Sequence, residues 1–169
     1  MLGRMTEDAA CAVAHGEVPS ESGRRVLAAV FASPVAEHLL RYGRDLGYDT
    51  VLVEPDPGRA AGLDALSGMP ELSPSTDVVV TDHHRDELGP MLRDALQHEA
   101  RWIGIMGNPR HAGPHVQALR DLGVDDVQIA RVHRPIGLNI GSRTPAEIAI
   151  ATLAGLVADR NGKPGGFEF

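Results

Sequence analysis

Two glycine-bearing turns, an acidic strand end and one carboxylate–imidazole pair hold the residues that could do chemistry in this 169-residue chain. The longest turn runs from Arg134 through Pro135, Gly137, Asn139 and Gly141 to Thr144, where a helix should begin. Thr144 is a good N-cap, Pro145 suits the first helical position, and Glu147 stands three residues past the cap, the spacing of a capping box. Glycine lets a backbone take positive φ or pass close to a ligand, and the free N–H groups of a helix start favour anions. The chemistry on offer is oxyanion binding. The alternative is a tight loop that packs the last helix.

The second turn reads Gly104-Ile105-Met106-Gly107-Asn108-Pro109-Arg110. Gly107 allows close approach, Asn108 can cap, and Arg110 can pair an oxyanion bidentately. Asp82 and His83 follow a strand directly and are read as pocket-lining groups able to move protons or ligate a metal. A metal is the weaker reading, because His98, His111, His115 and His133 are scattered without ligand spacing. The first strand-to-helix turn, Phe31-Ala32-Ser33-Pro34-Val35-Ala36, has none of the glycines of a dinucleotide fingerprint. Ser33 still caps a helix there, and Glu54, ending the second strand, stands where a ribose-binding acid belongs. No nucleophile elbow, P-loop or H-E-x-x-H motif occurs, and no catalytic residue is assigned.

These groups need elements to position them. Apolar runs without alternation at Val26–Phe31, Thr50–Val53, Asp77–Thr81 and Arg101–Met106 are the mark of strands buried on both faces. Helical patterns lie between them: one from Pro34 with Val35, Leu39, Tyr42 and Leu46 inward, then Asp86–His98 and Pro114–Leu122. The last helix, after Thr144, should face inward through Ile148, Ile150, Leu153, Leu156 and Val157. Val127–Ile129 is read as a short edge strand, and Gly58–Pro74 as loop with a short helix. The result is an α/β fold, a three-layer doubly wound parallel sheet of Rossmann-like type. The expected strand order is 3-2-1-4-5, with the switch point between the strands ending at Phe31 and Met106. Residues 1–23 form an N-terminal arm or linker, 24–160 the domain, and 161–169 a flexible tail.

Composition narrows the function classes. A net charge of −7 with no basic cluster argues against nucleic acid as partner. The single cysteine, Cys11, excludes an intrachain disulfide and a cysteine-based zinc site. Neither a signal-peptide pattern nor an apolar run of membrane-spanning length is present, so a cytoplasmic protein without membrane association is expected. A homodimer is the default assembly.

Three stretches together resemble the C-terminal Rossmann domain of the XdhC/CoxI family, the xanthine dehydrogenase accessory proteins. They are Arg101 to Arg110, with its Trp102-Ile103-Gly104 start; Leu119 to Gly123; and His133 to Gly141 running into Thr144-Pro145-Ala146-Glu147-Ile148-Ala149. The resemblance covers about residues 24–160. It implies an accessory, chaperone-like protein that binds molybdenum cofactor, of molybdopterin type, and assists maturation of a molybdenum hydroxylase apo-enzyme such as xanthine dehydrogenase. Carried over by position, Gly104, Gly107, Asn108 and Arg110 form one wall of the pocket. Pro135, Gly137, Asn139, Gly141 and Thr144 form the other. The chain departs from the family in its first turn, where only Val35-Ala36 matches Gly-x-Gly-His-Val-Ala, and at Thr81-Asp82-His83-His84, where Thr-His-Asp is usual. The family's N-terminal domain has no counterpart in these residues, so a stand-alone relative is expected. The fold and Glu54 leave open an NAD(P)-binding oxidoreductase or nucleotide-sensing protein, and a vestigial pocket in a structural remnant is a third reading.

Overall fold

A computed structural model describes residues 23–166; the expected N-terminal arm lies outside that range but for Gly23, and so do residues 167–169 of the tail. Five parallel strands form one sheet: β1 (Arg25–Val30), β2 (Tyr48–Val53), β3 (Thr76–Val80), β4 (Trp102–Ile105) and β5 (Val132–His133). Six helices join or follow them: α1 (Pro34–Asp45), α2 (Pro57–Ala60), α3 (Leu88–Leu96), α4 (Pro114–Asp121), α5 (Asp126–Ile129) and α6 (Pro145–Arg160).

The sheet order is β2-β1-β3-β4-β5, not 3-2-1-4-5. β1 takes β2 on one side and β3 on the other, with Ala28 opposite both Val51 and Val78. The physical reason lies in the strands themselves. All five residues of β3 are buried, which demands neighbours and helices on every side, whereas Asp49 of β2 is exposed and fits an edge. The switch point therefore falls between β1 and β3. One expected strand fails, Val127–Ile129: it belongs to α5, capped by Asp125, and the edge strand comes three residues later at Val132.

Period-two alternation sends the sheet's side chains into two cores. Leu27, Ala29, Val79 and Trp102 meet α1 and α6 through Ala36, Leu39, Ala149, Leu153 and Leu156. Ala28, Val30, Val78, Val80, Ile103 and Ile105 meet α3 and α4 through Leu88, Leu92, Ala95 and Leu119. Three layers result, as expected. The inward stripe of α6 differs from the expected one: Ala149, Ala151 and Thr152 are buried, while Ile150 is 53% exposed. The reason is a close approach. Gly155 lies so near Gly137 that an added Cβ would stand 3.0 Å from its Cα, so small residues face the sheet side. Leu46, past the end of α1, is also half exposed.

At the N-terminal edge of the sheet a buried carboxylate ties three elements together. Asp77 accepts hydrogen bonds from Tyr48 Oη (3.1 Å), Arg160 Nη2 (2.9 Å) and Arg101 Nε, and Arg101 also reaches Asp159. Burial, and then the Asp77 charge, push the Tyr48 hydroxyl up. A buried carboxylate held by two guanidinium groups fixes α6 against the strands. No helix among the described residues is long and apolar enough to cross a membrane.

Candidate functional site

In parallel sheets of this kind ligands bind beyond the C-terminal ends of the strands. Here that edge has two very different halves.

The half over β1 and β2 is filled by its own side chains. Phe31, fully buried, takes φ 74°, a left-handed conformation that costs a bulky residue energy. It stands where a dinucleotide fold places its first glycine. The Arg85 guanidinium lies 4.5 Å from the centre of its ring. Arg85 in turn grips Glu54 with both Nη atoms, at 3.0 and 2.8 Å. Glu54 also accepts from Ala32 N and Asp56 N, each at 2.9 Å, so each carboxylate oxygen carries two hydrogen bonds. Burial raises the carboxyl's pKa, but Arg85 and the two backbone donors outweigh it and hold the group at about 2. No lone pair is left for a ribose. Ser33 caps α1 through Ala36 N (3.0 Å) and donates to Thr81 Oγ1 (2.9 Å), stitching the β1 turn to the end of β3 across the switch point.

The half over β3, β4 and β5 gathers polar groups with free capacity. Asp82 forms a tight turn by accepting from His84 N at 2.9 Å. His83 hydrogen-bonds to the Met106 backbone; its burial, then the His84 and Arg134 charges, lower its pKa. Gly107 carries no Cβ because the Arg134 guanidinium occupies that place: an added Cβ would stand 2.5 Å from Nε. Arg134 donates from Nη1 to the His111 carbonyl (2.8 Å) and from Nη2 to the Asn108 carbonyl (2.9 Å), closing the loop from Gly107 to Gly113. Asn108 Oδ1 accepts from Arg110 N at 2.9 Å, and the Arg110 side chain is exposed on the loop's outside. Gly104 sits beneath the Trp102 ring and Ile136, a place for packing.

The segment after β5 divides likewise. Gly137, at φ 81°, presses on the α6 backbone near Ala151, and Leu138 N donates to the Ala151 carbonyl at 3.0 Å. Pro135 is exposed, and Asn139 and Gly141 lie in the exposed turn before α6. Thr144 and Glu147 form the expected capping box, with Glu147 accepting from Arg143 N and Thr144 N. That carboxylate already complements the helix dipole where an external anion was expected.

The structure thus brings His83, Gly107 and Asn108 together, and keeps Ser33 and Glu54 in a separate, closed half. It adds three residues that sequence reading passed over: Arg85, His115 and Arg134. Arg134 stood in plain view at the head of the quoted segment, and the glycines at 107 and 113 were the signal that something bulky crosses there. Among the described residues no group of three His, Cys, Asp or Glu side chains could hold a metal. A cleft of about 780 Å³ lies at the opposite edge among Arg93, His98, Glu99 and Arg131. Arg131 is engaged there with the carbonyls of Leu96, the last residue of α3, and of His98 beyond it.

A five-stranded parallel sheet between two helical layers defines a Rossmann-like α/β domain. Comparison with known proteins narrows this further. Residues 27–156 match the family described as the XdhC Rossmann domain, and the chain belongs to that family. Over 96 residues it is 33% identical to Uncharacterized protein YqeB of Escherichia coli (strain K12), an alignment covering 57% of this chain and 17% of YqeB. A crystal structure described as a xanthine dehydrogenase (BH1974) from Bacillus halodurans shares the fold at TM-score 0.66 and 21% identity. That match covers 86% of this chain and 50% of the other. The chain therefore spans half or less of the length of these two relatives.

Proposed function

We propose that this chain is an XdhC-type accessory module. It binds a phosphate-bearing cofactor of molybdopterin type over β3, β4 and β5 and assists maturation of a molybdenum hydroxylase apo-enzyme. The observation that carries this reading is the contrast between the two halves of the sheet edge. The dinucleotide entrance is closed by Phe31, Arg85 and a hydrogen-bond-saturated Glu54, whereas the other half holds the Arg134 guanidinium, which forms no ion pair among the described residues. An anionic head group fits such a place. Family membership over residues 27–156 supports the accessory role. When bound, the molybdenum cofactor supplies redox chemistry for the partner enzyme; the residues here bind and shield it.

A thermal-shift panel tests this against the NAD(P) alternative, using NAD(P)(H), AMP, CMP, GMP and anaerobic molybdopterin. A ligand at a hundredfold excess over its Kd stabilises a fold by about 2.7 kcal/mol. Stabilisation by molybdopterin, with no response to nicotinamide nucleotides, is the expected result. Stabilisation by NAD(H) or NADP(H) alone would transfer the chain to the nucleotide-binding class.

A further inference from the structure

Resting on that reading, we propose that the cofactor's phosphate seat is formed by Arg134 and His115 at the N-terminus of α4, and not by Arg110 or the N-terminus of α6. The geometry begins with Arg134. A guanidinium has five N–H donors, and only two are engaged here, by the Asn108 and His111 carbonyls. Its Nε is buried without a partner. Among the described residues no carboxylate lies within ion-pair distance of it. Arg134 is half-buried, and its buried Nε lacks the acceptor that such a group ordinarily finds.

His115 supplies the independent observation. The residue is 6% exposed, and its Nδ1 is buried with no hydrogen-bond partner. Nδ1 and the Arg134 stem converge beside Gly113: a Cβ added there would stand 2.5 Å from Nδ1 and 3.2 Å from Arg134 Cδ. Gly113 is also the N-cap of α4, and no side chain caps that helix. α1 is capped by Ser33 and α6 by Thr144 and Glu147, whereas α3, like α4, has no side-chain cap. The positive end of the α4 dipole and an unpaired imidazole nitrogen thus meet beside the Arg134 stem, whose guanidinium, with its unpaired Nε, runs on to Gly107. The Arg134 charge is felt around it, contributing to the lowered pKa of both His83 and His115 after their burial. The His115 imidazole is then neutral near pH 7, and its one N–H can be donated to a phosphate oxygen. Arg110, on the outside of the same loop, is exposed, and the α6 N-terminus already holds the Glu147 carboxylate.

The probe is inorganic pyrophosphate, followed by ¹⁵N NMR that includes the Arg134 Nε and His115 ring signals, with calorimetry on variants. Expected in the wild-type chain are saturable shifts at Arg134 Nε, His115 and Gly113. Arg134→Met should weaken binding roughly tenfold, the loss of one charge-assisted hydrogen bond, with partial rescue by Arg134→Lys and little change in Arg110→Met. Because Arg134→Met also unties the loop, the wild-type shifts decide the matter if that variant does not fold. Non-saturating shifts spread over exposed arginines, or a loss that follows Arg110, overturn the seat. A parallel anaerobic molybdopterin titration separates the two ideas. Molybdopterin binding without shifts at Arg134 removes the seat and leaves the cofactor reading standing. Pyrophosphate shifts at Arg134 without molybdopterin binding do the reverse.

Discussion

Glu54 shows how one side chain can look like a ligand group and serve as a structural one. Its place after β2 fits a ribose-binding acid, yet four hydrogen bonds hold it inside the protein. Its folded pKa of about 2 lies below the ordinary value of 4.5, so it contributes stability above pH 4.5. That stability is lost as pH falls from 4.5 through about 2, because the unfolded chain takes up the proton more readily there. The shift corresponds to about 3 kcal/mol. Urea melts at pH 7 and pH 3 should show the acid loss in the wild-type chain and a much smaller one in Glu54→Gln. At pH 7, Glu54→Gln should cost about 3 kcal/mol, since it leaves the buried Arg85 with Glu87 as its remaining carboxylate, and Arg85→Met in the same chain should recover part of it. An unchanged melt in Glu54→Gln would contradict the buried pair.

Residue identity also explains what the sequence does and does not display. Thr144, Pro145 and Glu147 are legible because a cap is a local contract among neighbours. Ser33 is legible as a cap for the same reason, but its bond to Thr81 spans 48 positions and has no local signature. The Glu54–Arg85 pair spans 31 positions, and the left-handed Phe31 offers no cue at all, since an aromatic residue rarely adopts that conformation. Arg134 was hidden by its neighbours: the glycines drew attention as a phosphate cradle, while in the fold they make room for a cation.

At the scale of elements, α6 is the part most fully determined by its own sequence. Thr144→Ala should lower stability by about 1 kcal/mol, as loss of an N-cap does, measured by the urea midpoint with an unchanged m-value. Its packing is less forgiving. Gly137 has positive φ and backbone atoms of α6 only 3.0 Å from where its Cβ would stand. Both glycines, 137 and 47, have positive φ, so alanine at either costs about 1–2 kcal/mol of backbone strain. Gly137→Ala should cost about 1–3 kcal/mol more through overpacking, a cost absent at Gly47, which has nothing within 4 Å. Equal packing costs, after allowing for positive φ at both sites, would show that the loop is not seated on α6. The elements themselves were readable from apolar runs and caps. The inward face of α6 was not, because the large Ile150 turns outward and small residues turn in to admit the loop.

At the scale of the molecule, strand order is the feature local patterns carry least. Whether the chain, on leaving β2, continues outward or crosses back over β1 is decided by which strand must be buried. The cue was present in the exposed Asp49 of β2 and the fully buried β3. With β3 beside β1, the switch point moves to a place bridged by Ser33 and Thr81, and ligand-binding capacity moves to β3, β4 and β5.

An amide chemical-shift map of the 18.0 kDa chain titrated with anaerobic molybdopterin would tell the two halves of the sheet edge apart. Saturable changes are expected at His83, Gly107, Asn108, Gly113 and His115, with Ala32, Ser33 and Asp56 undisturbed. Changes concentrated at Ala32, Ser33 and Asp56 instead would place the ligand over β1 and contradict binding over β3, β4 and β5.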